Sequence, residues 1–223
     1  ESWDARAEYA WGETGDLGAL SFFYKAIDDP IESIIVRNPL NFEGSSSALY
    51  RTYFNNPNEA AVQGFEVEIR KSLDFVGLDI GEYLSIGGNY SFIHAEVDRT
   101  AIELARAQGF FGVAAGDVEQ FSGLASSRRL FGQPAWIVNA DFSLNHPDWG
   151  TKATLAFFAI SDVLDAAGSA TIIQDGSVQS MTLDRYVDSF HQLDLILRQT
   201  LHVEALRGDV TLKASAKNLT DST

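Results

Sequence analysis

The residues of this chain best suited to chemistry are four histidines, a close pair of glutamates and a scatter of aspartates. His94, His146, His191 and His202 supply imidazoles, but no two stand at a ligand-like spacing and the chain has no cysteine to complete a set. A structural or interfacial role is the simpler reading, and neither a metal nor a cofactor is expected. Glu66 and Glu68 share one face if they lie on a strand, where two carboxylates could divide acid and base duties. Arg70 falls on that same face, so ion pairing on the wall of a polar interior accounts for all three. Asp188, Ser189 and His191 contain the atoms of a triad, yet nearness in sequence does not supply its geometry. Gly87-Gly88 lacks the strand-turn-helix setting of a phosphate loop and suits a close backbone approach or a bend within a strand. No enzyme is expected from these groups.

One charge cluster keeps a functional reading. Asp162, Asp165, Asp175, Asp184 and Asp188 stand against Arg185 in a single stretch. Such a loop would meet a cationic or metal-bearing ligand; a plainly hydrated face is the alternative. The whole chain carries a formal charge of -15, with 31 acidic against 16 basic residues, which opposes any phosphate-backbone partner, so nucleic acid is excluded.

The elements that must position these residues announce themselves by alternation. With 45% hydrophobic and 12% aromatic residues the 223-residue chain can bury or face a large apolar phase. Trp3, Ala5, Ala7, Tyr9 and Trp11 alternate with Asp4, Arg6 and Glu8. The same period of two recurs around Leu20, Phe22 and Tyr24; Phe65, Val67 and Ile69; Leu84, Ile86, Tyr90 and Phe92; and Trp136, Val138, Ala140, Phe142 and Leu144. It continues through Ala153, Leu155 and Phe157, then Leu193, Leu195, Leu197 and Leu201, then Val210, Leu212, Ala214 and Ala216, making eight candidate strands. Asn139, Asp141, Asp194 and Arg198 occupy the intervening polar positions, as Glu66, Glu68 and Arg70 do, and are expected to face the interior.

Connections discriminate between the architectures that share this rhythm. Segments 12–18, 74–83, 146–150 and 202–208 are short, whereas 37–60, 99–133 and 162–190 exceed the roughly 15 residues beyond which structureless loops are uncommon in compact soluble domains. Short and long alternate strictly. That asymmetry belongs to transmembrane barrels, with tight periplasmic turns and long extracellular loops. Trp3, Trp11, Tyr24, Tyr83, Trp136 and Trp149 fall near strand ends, where aromatic girdles mark the two membrane interfaces. Within the second long connection, 100–108 has helical rather than strand spacing. A soluble β-sandwich that binds a ligand, or a small complete barrel, are the competing readings; the sandwich requires its apolar face to be buried.

Four collinear segments then resemble TonB-dependent receptors. Ala19-Leu-Ser-Phe-Phe-Tyr-Lys-Ala-Ile-Asp-Asp-Pro-Ile31 resembles a barrel strand ending in an aromatic, a lysine and an acidic turn. Val62-Gln-Gly-Phe-Glu-Val-Glu-Ile-Arg70 is similar to the family's Gly-x-Glu-x-Glu strand, Arg129-Leu-Phe-Gly-Gln-Pro134 to the return strand after a long loop, and Ala216-Lys-Asn-Leu-Thr-Asp221 to an Asn-Leu-Thr-Asp closing segment. The resemblance implies an all-β fold: an antiparallel transmembrane β-barrel segment, about eight strands of a larger barrel in the bacterial outer membrane. Residues 1–223 are expected to be part of the barrel domain, with the plug domain and final strands outside it. It further implies uptake of a scarce nutrient, such as an iron-siderophore complex, cobalamin or a glycan, energised by TonB with ExbB and ExbD. In such a protein the sequon at Asn218-Leu-Thr220 is accidental.

Overall fold

A computed structural model describes residues 1–12, 15–37, 49–101, 103–104, 126–172 and 178–221. Its strands are β1 (Ser2–Trp11), β2 (Asp16–Ile27), β3 (Ile31–Arg37), β4 (Leu49–Asn55) and β5 (Ala60–Ser72). There follow β6 (Leu84–Asp98), β7 (Ser127–Arg129), β8 (Trp136–His146), β9 (Thr151–Ile160) and β10 (Val163–Gly168). The last are β11 (Ala170–Ile172), β12 (Val178–Met181), β13 (Arg185–Val187), β14 (Phe190–Val203) and β15 (Gly208–Ala216). Eight of them form the main sheet in the order β1-β2-β5-β6-β8-β9-β14-β15, with β7 added to β6. These eight are the strands expected from alternation, and every neighbouring pair along that order is antiparallel. The sheet is open among the described residues, with β1 and β15 as its edges.

Register turns the alternation of single strands into two continuous faces. Ala5, Phe22, Phe65, Phe92 and Trp136 are cross-strand partners in succession. Farther along, Ala140 pairs with Phe157, Phe157 with Leu193, and Leu197 with Ala214. The opposite face carries Glu66 beside Ser91, and Glu68, Asn89 and Asn139 in one row. The apolar face is uncovered: Phe22 is 49% exposed, Val67 44%, Phe142 43% and Leu212 57%. An open apolar surface spread over eight strands far exceeds the patches soluble monomers tolerate, so it faces hydrocarbon rather than a second layer. The sandwich reading, which needs that face buried, fails on this point.

Aromatic rings bracket the apolar band. Trp3 stacks on Tyr24 at 5.8 Å near one end of β1, and Tyr9 on Trp11 at 5.7 Å near the other. Eight residue rises of ~3.3 Å separate Trp3 from Trp11, about 26 Å of strand, comparable with the roughly 25 Å apolar band of outer-membrane barrels. At the short-turn rim Trp149 stacks on His146, whose ring also meets Tyr83 at 3.9 Å. The β8–β9 turn closes through Gly150, whose φ of 63° and close approach to the Thr200 carbonyl leave no room for a side chain.

The long connections differ from expectation. Their described residues carry strands: β3 and β4 pair antiparallel on either side of 38–48, β10 to β13 lie within 162–190, and β7 joins the main sheet from within 99–133. The order β13-β10-β3-β4 makes a second sheet, in which β10 lies parallel to β3. Of the expected helix at 100–108, Ala101, Glu103 and Leu104 are helical, Leu104 donating to the Thr100 carbonyl, and residues 105–108 lie outside the described residues. This cap holds most of the dry interior. Leu164 and Ala166 are wholly buried in it, and Ala60, Val62, Ala95, Val97 and Leu130 cluster where the inner face passes beneath.

Face assignment makes a direct prediction. Leu155→Arg, on the outward face, should cost roughly 2–4 kcal/mol if it lies near the bilayer midplane, whereas Thr154→Arg, facing inward, should change stability little. Guanidine unfolding in lipid vesicles measures both; equal sensitivity would overturn the assignment.

Candidate functional site

The polar face encloses a depression of about 680 Å³, lined by Glu68, Arg70, Asn89, Asn139, Asp141 and Asp194 among others. Five of the seven residues expected to face the interior therefore converge there; Glu66 and Arg198 share the face but lie outside the depression. Their partners are mutual. Arg6 donates to Glu68 at 2.8 Å and reaches Glu8 at 3.1 Å, while Arg70 lies 3.2 Å from Glu68 on its other side. Asn139 Nδ2 donates to Asn89 Oδ1 at 2.8 Å, and Ser143 donates to Asp141 at 3.2 Å. Asp194 accepts from Gln192 Nε2 at 2.7 Å and from the Asn218 backbone N–H at 2.9 Å. Gly87 makes room for this chemistry, since a Cβ there would stand 2.5 Å from Asp141 Oδ1. The arrangement is an open wall of paired charges and amides, suited to reversible contacts with a polar occupant.

The residues that tempted other readings lie apart. His94 is 3.3 Å from Glu96 on β6, His202 is 2.9 Å from Asp209 across β14 and β15, and His146 is stacked between aromatic rings. Among the described residues no hydrogen bond joins Asp188, Ser189 and His191.

In the cap the acidic stretch is engaged by arginines. Asp162 accepts from Arg129 at 2.8 Å; Asp165 lies 2.8 Å from Arg51 and 2.6 Å from Arg185. Asp184 is 3.4 Å from Arg99 and accepts the Gly168 N–H at 2.8 Å, and Asp175 lies outside the described residues. These carboxylates thus tie the third connection to the first and second. Exposed groups surround them: Tyr53 is 60% exposed, and the Arg51 guanidinium stands 5.9 Å from its ring and 5.8 Å from that of Phe131.

Beneath them lies a charge network that alternation could not flag. Arg128 of β7 donates to both oxygens of Glu32 on β3, at 2.7 and 3.0 Å, and to Glu103 of the helical turn. Glu32 and Glu103 side chains are fully buried and Arg128 nearly so, with Asn56 donating to Glu32 at 2.7 Å. Burial alone lowers the pKa of Arg128, but its hydrogen bonds to the two carboxylates outweigh burial and raise it above the ordinary arginine value. The sequence signal was faint: Glu32 interrupts the apolar run Ile31, Ile34, Ile35 and Val36.

A family model described as TonB dependent receptor-like, beta-barrel, matches residues 1–219. No curated protein and no solved structure matches the chain.

Removing the hub cation tests whether it holds the cap. Arg128→Met strips Glu32 of its guanidinium partner and leaves Glu103 only the more distant Arg99, at 3.7 Å, and should cost roughly 3–5 kcal/mol, read as faster proteolysis and hydrogen exchange in 28–37, 49–56 and 126–135. Adding Glu32→Gln and Glu103→Gln should restore most protection; an unaltered exchange pattern in the single variant would show that the network does not hold the cap.

Proposed function

The chain belongs to the TonB-dependent receptor-like β-barrel family, a family of receptors and transporters rather than enzymes, and on that premise we propose that it forms barrel wall and ligand-capturing loops of an outer-membrane nutrient receptor. The observation that carries the reading is the uncovered apolar face opposite a polar, indented one. A backbone can cross hydrocarbon only when every group is paired, and the eight-strand ladder satisfies this everywhere except at its two edges, which further strands would close into a barrel.

In this reading Glu66, Glu68, Arg70, Asn139, Asp141, Asp194 and Arg198 line the lumen and contact a plug that fills it. The capping loops, organised by Asp162, Asp165 and Asp184, meet the ligand first. The ligand is a scarce small molecule of the class of iron-siderophore complexes, cobalamin or glycans, and TonB, driven by ExbB and ExbD, supplies the energy for its passage. The family match supports a TonB-linked receptor with a small-molecule ligand; no feature of the wall selects among these ligands.

The test is cellular. The complete gene product should fractionate with outer membranes, and deleting its gene or inactivating TonB should each abolish high-affinity uptake of one growth-limiting nutrient. A soluble product, or uptake indifferent to TonB, would overturn the proposal.

A further inference from the structure

The second sheet, in the cap, ends on one side in a long and regular strand. β4 runs for seven residues, pairs with β3 without a shift in register, and contains neither proline nor lysine. The opposite border of that sheet is blunted: β13 has three residues, and its pairing with β10 breaks register between Leu164 and Ala166. The direction of the β4 backbone follows from one bond. Asn56 donates its N–H to the Pro30 carbonyl at 2.9 Å, and bonded and unbonded pairs alternate along an antiparallel ladder. Phe54, Thr52 and Tyr50 therefore turn their backbone groups toward β3, and Asn55, Tyr53 and Arg51 turn theirs away. Those outward N–H and C=O groups have no hydrogen-bond partner among the described residues. Exposed edges recruit other strands, and proteins ordinarily guard them with lysine, proline or bulges. None of these guards β4, and Arg51, its one charge, turns its guanidinium back across β3 to Ser33 and Asp165.

We infer that this edge binds a free, extended oligopeptide, which adds to β4 as a further strand. The inference rests on the receptor reading for placing the cap outside the membrane, and it adds a ligand class to those named there. A row of alternating N–H and C=O groups is satisfied by another extended backbone, which supplies the affinity, while side chains supply the selection. Leu49, Tyr50 and Tyr53 are exposed, so apolar or aromatic residues of the peptide find cross-strand partners. Ile27 pairs with Ala60 and Pro30 is bonded by Asn56, which sets Asp28, Asp29 and Glu59 at the Asn55 end of the edge. All three are exposed and form no ion pair among the described residues, so a basic residue or the peptide's amino terminus suits that end. A second copy suits it less, because two chains of formal charge -15 repel.

Peptide capture by the complete receptor in outer-membrane vesicles tests this. The probe is a pool of synthetic heptapeptides drawn from valine, threonine, tyrosine and lysine, with retained members identified by mass spectrometry. Some should be retained, and the same pool methylated at every backbone nitrogen should not. Tyr53→Pro removes an outward N–H but spares the β3 ladder, so it should weaken retention about tenfold, whereas Tyr53→Ala keeps that N–H and should weaken it about threefold at most. Hydrogen exchange in 31–36 checks that β3 stays paired; where Tyr53→Pro disturbs it, Asn55→Pro removes another outward donor and repeats the comparison. Retention of no peptide, equal retention of the methylated pool, retention unmoved by proline, or a receptor dimer that Tyr53→Pro dissociates would each overturn the inference. Nutrient uptake by the same cells separates the two failures: TonB-dependent uptake without peptide retention sinks the edge site alone, and retention without TonB-dependent uptake sinks the receptor reading alone.

Discussion

A polypeptide in hydrocarbon has no water to satisfy its N–H and C=O groups, and nearly everything in this molecule follows from that scarcity. Eight strands pair along their lengths, which fixes register, and register assigns each side chain to lipid or interior because a slip of one residue would exchange the faces. Phe65 then has no choice but to stand beside Phe22 and Phe92, or Asn89 beside Asn139. Even Gly87 answers to the same rule: with the backbone held by its ladder, Asp141 gains space only because the neighbouring residue has no side chain.

Beyond the bilayer that rule relaxes, and the chain changes its way of folding. Some strands overshoot, β6 running for 15 residues and β14 for 14, more than the 9 to 11 or so a tilted crossing needs. Above them a mixed sheet joins connections distant in sequence. The pairing of β10 with β3 brings Gly168 beside Ile35, while Arg128 reaches Glu32 from another connection entirely. Here burial and ion pairing, not membrane geometry, decide the arrangement, so the dry core of the chain sits in its loops.

This division explains what could be read from sequence. All eight wall strands were legible because lipid and interior impose opposite chemistry on alternate residues, and the placement of Glu68, Arg70, Asn139, Asp141 and Asp194 followed from parity alone. The cap strands were not legible, because β3, β4 and β10 are covered irregularly by partners from other connections and leave no period of two. Glu103 and Arg128 meet across 25 positions, and no local pattern encodes that encounter. The aspartates of the third connection drew notice as a charge cluster, yet their arginine partners Arg51, Arg99 and Arg129 lie elsewhere in the chain.

The first and second connections are tethered through one buried guanidinium and the third is tied to both by aspartate–arginine pairs, which on the receptor proposal bears on the kinetics of capture. Loops that order only on contact surrender conformational entropy to the encounter, and affinity falls by that amount; segments already fixed do not incur it. On the receptor proposal, the described strands of the cap would meet a ligand already joined, so that for them association is governed by diffusion and orientation instead of by a folding step. The same ties would transmit movement of the described strands of any one connection to the other two.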